Sequence, residues 1–383
     1  MAKEKKKWRW ILGVVAFIIY ILIAARPIPE ETVLKPRWIT SLELNFPVRL
    51  GDYSAPEEEG QTFLPSQILL PFRLGDRYGY VGDDGKFSIN QIGKGYISLS
   101  EKNWAEYELV PSSIRVMDTQ NELVLDIENP KGYPLFLDDR IFIVGNEQNS
   151  LTALGPNGEK LWIHDFPAPI TCIDAAGGCV LAGTLDGTVE LLDSQGNPIF
   201  TPFEPGGSRL SVILGCAISR DASRLAIISG IDDQRFLLLE QAGVEGRPLR
   251  TPGVPGDTYK VIHHEFLTGG FRRPVHISFV SNDGKVAYER EGGMGIFDIA
   301  SRSSINLPLE GEIAVLDNSG GDRFLFVITS QGPKQKRFIT IRYPGIIMIN
   351  APFKSDTAFF ARRDRRLYLG GDLTMASFEL GRK

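Results

Sequence analysis

Cysteine is scarce in this chain: 3 in 383 residues, none of them before Cys172. An N-terminal lipid anchor is thereby excluded for want of a thiol, and so is a disulfide-built scaffold. Histidine numbers only 4, which leaves little for metal ligation or acid–base work. No serine sits in a nucleophile-elbow pattern, and "GGFRRP" and "GGMG" are turn glycines without a phosphate-loop lysine. A net positive charge is missing from the body of the chain. Residues 1–9, "MAKEKKKWR", carry five bases and one acid, a net +4; the whole-chain charge of −5 therefore leaves −9 on the other 374 residues. An acidic body argues against nucleic-acid binding.

Long uncharged runs are also rare, and one stands out: "WILGVVAFIIYILIAA", residues 10–25. As a helix it spans roughly 24 Å, and Trp8, Arg9 and Arg26 can extend it into the interfaces of a bilayer. The lysine-rich tip on one side predicts a single-pass anchor at 10–25, with residues 1–9 cytoplasmic and the body exported. A cleaved signal peptide is the alternative; "LIAARP" is a poor cleavage site for it, because Leu22 or Ile23 would stand where a small residue is needed. Residues 26–61 hold five prolines and the acidic "PEEEG", and read as an extracytoplasmic tether. Within it, "SLELNFPVRL" alternates Leu42, Leu44, Phe46, Val48 and Leu50 with polar residues or proline. That is a half-buried strand, and Pro47 restricts it to an edge or a short pairing.

What is abundant is the material of turns and strands. Hydrophobic residues make up 43% and charged ones 23%, enough for a packed core, while 40 glycines and 24 prolines are spread along the chain. "IVGNEQNSLTALGPNGEKLW" returns 38 residues later as "LAGTLDGTVELLDSQGNPIF", placing Gly145 under Gly183, Leu154 under Leu192, Gly158 under Gly196 and Trp162 under Phe200. Looser copies occur at 80–89 and 116–125. A second hairpin type, as in "CAISRDASRLAIIS" and "ISFVSNDGKVAYE", alternates with the first. Glycine and aspartate suit the turns, β-branched and aromatic residues the strands. A unit of about 35–45 residues with four short strands is the spacing of a propeller blade. Inner A–B hairpins fall near 95, 133, 169, 212, 275, 312 and 357, and outer C–D hairpins begin near 78, 113, 150, 187, 234, 294 and 337. The expectation is an all-β, single β-propeller over 62–383. Seven blades result if the first hairpin completes the last blade. Eight result if the surplus strands at 44–50, 67–73 and 373–379 are used.

The segment from Gly158 to Phe200 resembles the repeat of quinoprotein-like propellers, with "DGTVELLDSQG" and a blade-closing aromatic in place; the Ser-x-Asp turns at 219–222 and 281–284 are similar to WD40-type turns. That superfamily includes dehydrogenases using pyrroloquinoline quinone, and non-catalytic scaffolds such as the propeller lipoprotein of the outer-membrane β-barrel assembly machinery. Quinone-dependent members carry a vicinal cysteine pair, a calcium site and regular tryptophan docking motifs. Here Cys172, Cys179 and Cys216 are separated, calcium ligands are not identifiable, and only five tryptophans occur, two of them at the anchor. No catalytic residues, cofactor or metal are therefore assigned, and the resemblance implies the scaffold branch. The nearest approach to a metal set is His263 and Glu265 on one strand face with His276 from the next segment.

Three features bear on partners and redox state. Residues 241–274 form an unusually long connection, either a binding loop or one outer strand with a wandering link. Arg362, Arg363, Arg365 and Arg366 crowd one turn, where they could grip an acidic partner or lipid headgroups, or serve as a solvated turn that blunts strand pairing. Reading Asp174–Gly177 as a four-residue turn brings Cys172 opposite Cys179, a candidate disulfide in an oxidising compartment. No asparagine lies in a glycosylation sequon, which favours a bacterial periplasm over a eukaryotic secretory route. The expected function is an interaction scaffold for envelope or membrane proteins, held on the bacterial inner membrane, with a channel-using enzyme or ligand sensor as the alternative.

Overall fold

The computed structural model describes residues 13–15, 17, 20, 32–44, 47–49, 69–206, 208–242, 258–319, 321 and 323–382. The chain separates into two compact units, residues 36–379 and a smaller one of residues 1–35 with 380–383. Most of the run 10–25 lies outside the described residues. Among the described ones, 13–15, 17 and 20 are helical, and no helix is long and apolar enough to cross a membrane.

The large unit consists of antiparallel sheets. Two N-terminal strands, the long β1 (Thr32–Ser41) and the short β2 (Pro47–Arg49), are followed by β3 (Leu69–Leu74), β4 (Arg77–Gly82) and β5 (Phe87–Ile92), of which the last three form blade 1. Blade 2 contains β6 (Tyr96–Leu99), β7 (Asn103–Tyr107), β8 (Ser113–Asp118) and β9 (Leu123–Glu128). Blade 3 contains β10 (Gly132–Leu137), β11 (Arg140–Gly145), β12 (Ser150–Leu154) and β13 (Lys160–Asp165). Blade 4 has β14 (Ile170–Ala176), β15 (Cys179–Thr184) and β16 (Val189–Leu192), its outer side met only by the bridges Val189–Phe203 and Leu192–Pro198. Blade 5 is β17 (Ile213–Ile218), β18 (Arg224–Ser229), β19 (Arg235–Gln241) and β20 (Tyr259–Phe266). Blade 6 is β21 (Ile277–Val280), β22 (Lys285–Arg290), β23 (Gly293–Asp298) and β24 (Ser303–Pro308). Blade 7 is β25 (Glu312–Asp317), β26 (Phe324–Gly332), β27 (Gln335–Arg342) and β28 (Ile346–Lys354). Blade 8 joins β29 (Ala358–Arg363), β30 (Arg366–Gly371) and β31 (Thr374–Arg382) to the N-terminal β1, with β2 outside it.

The burial pattern follows from this stacking. A middle strand is covered on both faces by neighbouring blades, so β15 and β16 are buried at every position. An outer strand such as β13, "KLWIHD", has no fully buried residue: Trp162 and His164 are half-buried and the residues alternating with them are exposed. The core is accordingly a series of inter-blade clusters. Leu181, Ile213 and Ile227 pack in the one between blades 4 and 5, and Phe236, Tyr288 and Phe297 in the one between blades 5 and 6.

The repeated turn glycines have a packing reason. In blade 8, Trp38 donates from Nε1 to the Asp83 carbonyl at 2.9 Å and lies against Gly85, where a Cβ would come within 2.8 Å of its ring. In blade 3, Trp162 does the same to Ser194 at 3.0 Å and Gly196, where a Cβ would stand 2.5 Å from the ring. Both glycines have φ near +80°, at +83° and +81°, which a side chain would strain independently. Each outer-strand aromatic thus docks on the next blade's turn.

The ring has eight blades rather than seven. The hairpin expected near 78 is present as β4–β5, but it pairs with β3 in a sheet of its own instead of completing the last blade. The last blade is completed from the segment read as tether: β1 is its fourth strand. Of the strand read over 44–50, residues 45, 46 and 50 lie outside the described residues, and Pro47–Arg49 is extended. It pairs with β1 through Thr40↔Pro47 at the sheet edge, where proline costs no ladder bond.

Candidate functional site

Strand order sorts the connections onto two faces of the ring. Turns between first and second strands of successive blades touch one another. Lys102 pairs with Asp139 at 2.7 Å, Asp138 accepts from the Gly178 amide at 3.1 Å, Asp283 accepts from the Arg220 amide at 3.1 Å, and Arg362 donates to the Ser319 carbonyl at 2.7 Å. This clasp face is built from aspartate- and arginine-bearing turns whose polar groups link neighbouring blades. The turns hold themselves by the same chemistry: Asp221 accepts from Ser219 Oγ, Ser223 N and Ser223 Oγ at 2.8, 3.0 and 2.7 Å. Burial raises the Asp221 carboxyl's pKa, but these donors outweigh it and hold it below the usual carboxylate range.

The opposite face carries the connections from second to third strands and from blade to blade. Here large apolar side chains stand in solvent. Leu109 and Val110, between β7 and β8, are 73% and 72% exposed. Leu185 between β15 and β16, Leu210 before β17, Phe266 at the end of β20 and Leu373 between β30 and β31 are exposed on the same side. Single exposed hydrophobics are ordinary, and others lie along the outer strands, such as Leu123, Leu161, Ile163 and Ile346; the group on these loops is a candidate interaction surface. These residues were not singled out from the sequence, because a lone leucine in a loop has no periodic partner that would flag it.

The arginine turn lies on the clasp face at the seam between blades 7, 8 and 1. Arg362 donates to Asp364 O and Ser319 O at 2.6 and 2.7 Å, with its guanidinium over the Phe326 ring. Burial lowers the Arg362 pKa, opposed by Asp317 and Asp364. Arg363 reaches the Leu69 carbonyl at 3.1 Å, and Arg366 reaches Asp83 through its carbonyl at 3.1 Å and its carboxylate at 3.2 Å. Three of the four therefore join adjacent blades. Arg365 is exposed and has no hydrogen-bond or ion-pair partner among the described residues. With Arg37, Asp83, Arg363, Asp364, Arg366 and Glu379 it lines an open cavity of about 300 Å³.

The other sequence candidates separate. His263 and Glu265 share a strand face at 3.9 Å, and His263 stacks on Phe297 at 4.1 Å between ring centroids. Burial pulls the His263 pKa down, with Glu265 opposing. His276 lies apart from them, its amide donating to Glu289. No group of three metal-ligating side chains forms among the described residues. In the long connection, residues 243–257 lie outside the described residues, and the part that follows is the outer strand β20.

The expected Cys172–Cys179 disulfide is overturned by register. The turn is the two-residue Gly177-Gly178, both at positive φ, so Ala176 faces Cys179 and Cys172 faces Gly183. Two glycines permit a tighter hairpin than the four-residue turn that the spacing suggested. All three cysteines are free thiols.

Comparison with known proteins agrees with this architecture. A family described as "beta-propeller protein" matches residues 1–382. An uncharacterized protein of Treponema pallidum (strain Nichols) is 23% identical over 379 residues, 99% of this chain and 95% of its own length. The crystal structure of BamB from Moraxella catarrhalis superposes with a TM-score of 0.55 at 13% identity, over 91% of this chain and 100% of that one. At that identity the likeness is one of fold.

Proposed function

The chain belongs to the beta-propeller protein family, and from that premise we propose that it is a non-catalytic protein–protein interaction scaffold of the bacterial cell envelope. The observation that carries this reading is the asymmetry of the ring. Clasp-face turns are consumed in holding blades together, whereas the other face presents Leu109, Val110, Leu185, Leu210 and Phe266 to solvent. Apolar side chains on short loops of a rigid scaffold are suited to act as anchors in a partner's pockets. The fold shared with BamB and the quinoprotein-like repeat support placement in the scaffold branch. Of the arginine turn only Arg365 has no tie to the seam among the described residues, and it stands on the clasp face, apart from this surface.

In this reading residues 10–25 anchor the protein in the inner membrane, residues 1–9 stay in the cytoplasm and the propeller lies in the periplasm. The basic tip and the uncharged run support that topology. The test is photo-cross-linking in cells, with the cross-linker at Leu109 or Leu185 on one face and at Arg302 on the other, followed by purification from membranes. Stoichiometric protein adducts from Leu109 and Leu185, absent from Arg302, are the expected result. A bound small molecule without protein adducts would overturn the scaffold in favour of a channel-using sensor or enzyme. A reporter fused after Lys383 that is active in the cytoplasm would overturn the topology.

A further inference from the structure

The cysteine that loses Cys179 as a neighbour gains another. β14 and β17, the inner strands of blades 4 and 5, lie side by side. Thr171 Oγ1 donates to the Ile213 carbonyl at 2.5 Å, and the Ile218 amide donates to Asp174 Oδ2 at 2.9 Å. Between these two ties stand Cys172 on one strand and Cys216 on the other, in the same inter-blade cluster, with Cys216 Sγ donating to the Leu181 carbonyl at 3.7 Å. Both belong to the cluster between blades 4 and 5, Cys216 buried and Cys172 half-buried. Gly183, opposite Cys172, makes the room: a Cβ there would fall 2.8 Å from Cys172 Sγ.

We infer that Cys172 and Cys216 form a redox-modifiable pair that closes into an inter-blade disulfide on reaction with a thiol oxidant of the disulfide class. The more accessible Cys172 sulfur attacks one sulfur of the oxidant RSSR. The S–S bond breaks, one RSH leaves with the thiol proton, and a mixed disulfide remains on Cys172. The Cys216 sulfur then attacks the Cys172 sulfur, displacing the second R group, which leaves as RSH with the Cys216 proton. Two thiols are oxidised and one external disulfide is reduced to two thiols. Cys216 suits the resolving role. Neighbouring Cys172, and then burial, push its pKa well above the usual thiol range, so it stays protonated and is the less reactive of the two toward bulk oxidant. Cys179, in the same cluster, faces Ala176 and is left out of the pair.

The bond would tie strands that share no backbone ladder, since each blade is a separate sheet. It would fasten the ring at the blade that holds the long β19–β20 connection. The test uses the full-length protein, incubated with oxidised glutathione or with dithiothreitol, then denatured, alkylated and digested with an endoprotease that cuts before aspartate. Cleavage at Asp174 separates Cys172 from Cys179. The expected oxidised product is the Cys172 peptide linked to the Cys216 peptide, lighter by two hydrogens, with Cys179 alkylated. Cys216→Ser, or Cys216→Ala should serine disturb the core, should instead trap the glutathione adduct on Cys172. A link that includes Cys179, or three alkylated thiols after oxidant, would overturn the inference.

Discussion

Blade 6 and blade 8 solve the same packing problem from different material. Blade 6 is one stretch of chain, β21 to β24, folded by successive hairpins so that each strand pairs with its sequence neighbour. Blade 8 takes three strands from the C-terminal end and its fourth from the N-terminal segment. The junction is reinforced accordingly. Trp38 donates to Asp83 of blade 1, Tyr368 Oη donates to the same aspartate's carboxylate at 2.6 Å, the Leu42 amide donates to Leu373 O at 2.9 Å, and Arg37 pairs with Glu379. Loop-closure entropy rises by only about 0.6 kcal/mol per doubling of length, so joining distant ends costs little more than joining near ones. What differs is exposure to truncation. A contiguous blade survives loss of the termini, and the closing blade does not.

The largest expected break follows from that. Deleting residues 371–383 removes β31, leaves β30 as an open edge and deprives β1 of its partner. We expect an aggregating or rapidly proteolysed body, read by limited proteolysis; a soluble, resistant product would refute closure by the termini. Deleting 357–383 should be at least as damaging. Next in size is Trp38→Ala, which empties a site 4% exposed and removes one of the donors to the Asp83 carbonyl; a loss of about 3–5 kcal/mol is expected in chemical unfolding. Trp162→Ala, the same docking contact in contiguous blade 3 but only half-buried, should cost about 1–3 kcal/mol. Equal losses would mean that closure confers no special sensitivity.

A smaller effect, set by pH, is common to the two kinds of blade. Asp221 in contiguous blade 5 and Asp372 in blade 8 both lie below the usual carboxylate range. Burial raises each, but donors outweigh it: Ser223 and Ser219 for Asp221, and the Thr357 amide, Ser355 and the Asp356 amide for Asp372. A depressed folded pKa adds stability that is present above the unfolded carboxylate value and lost as pH falls through the folded one. Asp221→Asn and Asp372→Asn should each flatten the acid limb of the stability–pH curve. A curve as steep as that of the unsubstituted protein would show that the turn donors do not prefer the charged form. Smallest are the arginines. Arg366→Ala should cost about 0.2–1 kcal/mol, because its pair with Asp83 is well hydrated, and Arg365→Ala less than about 0.5 kcal/mol. If Arg365→Ala nonetheless lowers recovery of a cross-linked partner, the residue acts in binding and not in the seam.

The blade spacing was legible because several repeats present a turn glycine to the preceding outer strand, so Gly85, Gly158 and Gly196 recur at the same place. The count was not legible. Whether the β4–β5 hairpin begins a new sheet or completes an old one depends on which strand lies beside it, and hairpin chemistry is identical in both cases. β1 was read as tether for a similar reason: Pro36 and its polar neighbours suit a solvated linker, and only the waiting edge of β31 makes them a strand. The arginine turn was visible as charge, whereas its use in joining blades 7, 8 and 1 depends on carbonyls that no sequence pattern marks. For the cysteines, one shift in turn length replaced Cys179 by Gly183 as the cross-strand neighbour.

By itself the sequence determined the all-β class, the four-strand repeat, the acidic body and the basic, apolar N-terminus, because periodicity, turn residues and charge are local properties. Tertiary structure decided the number of blades, the strand that closes the ring, which face keeps its apolar side chains in water, and which thiols meet. Each of these depends on contacts between segments far apart in the chain, and their energy comes from shape and burial at a meeting point that local preference does not encode.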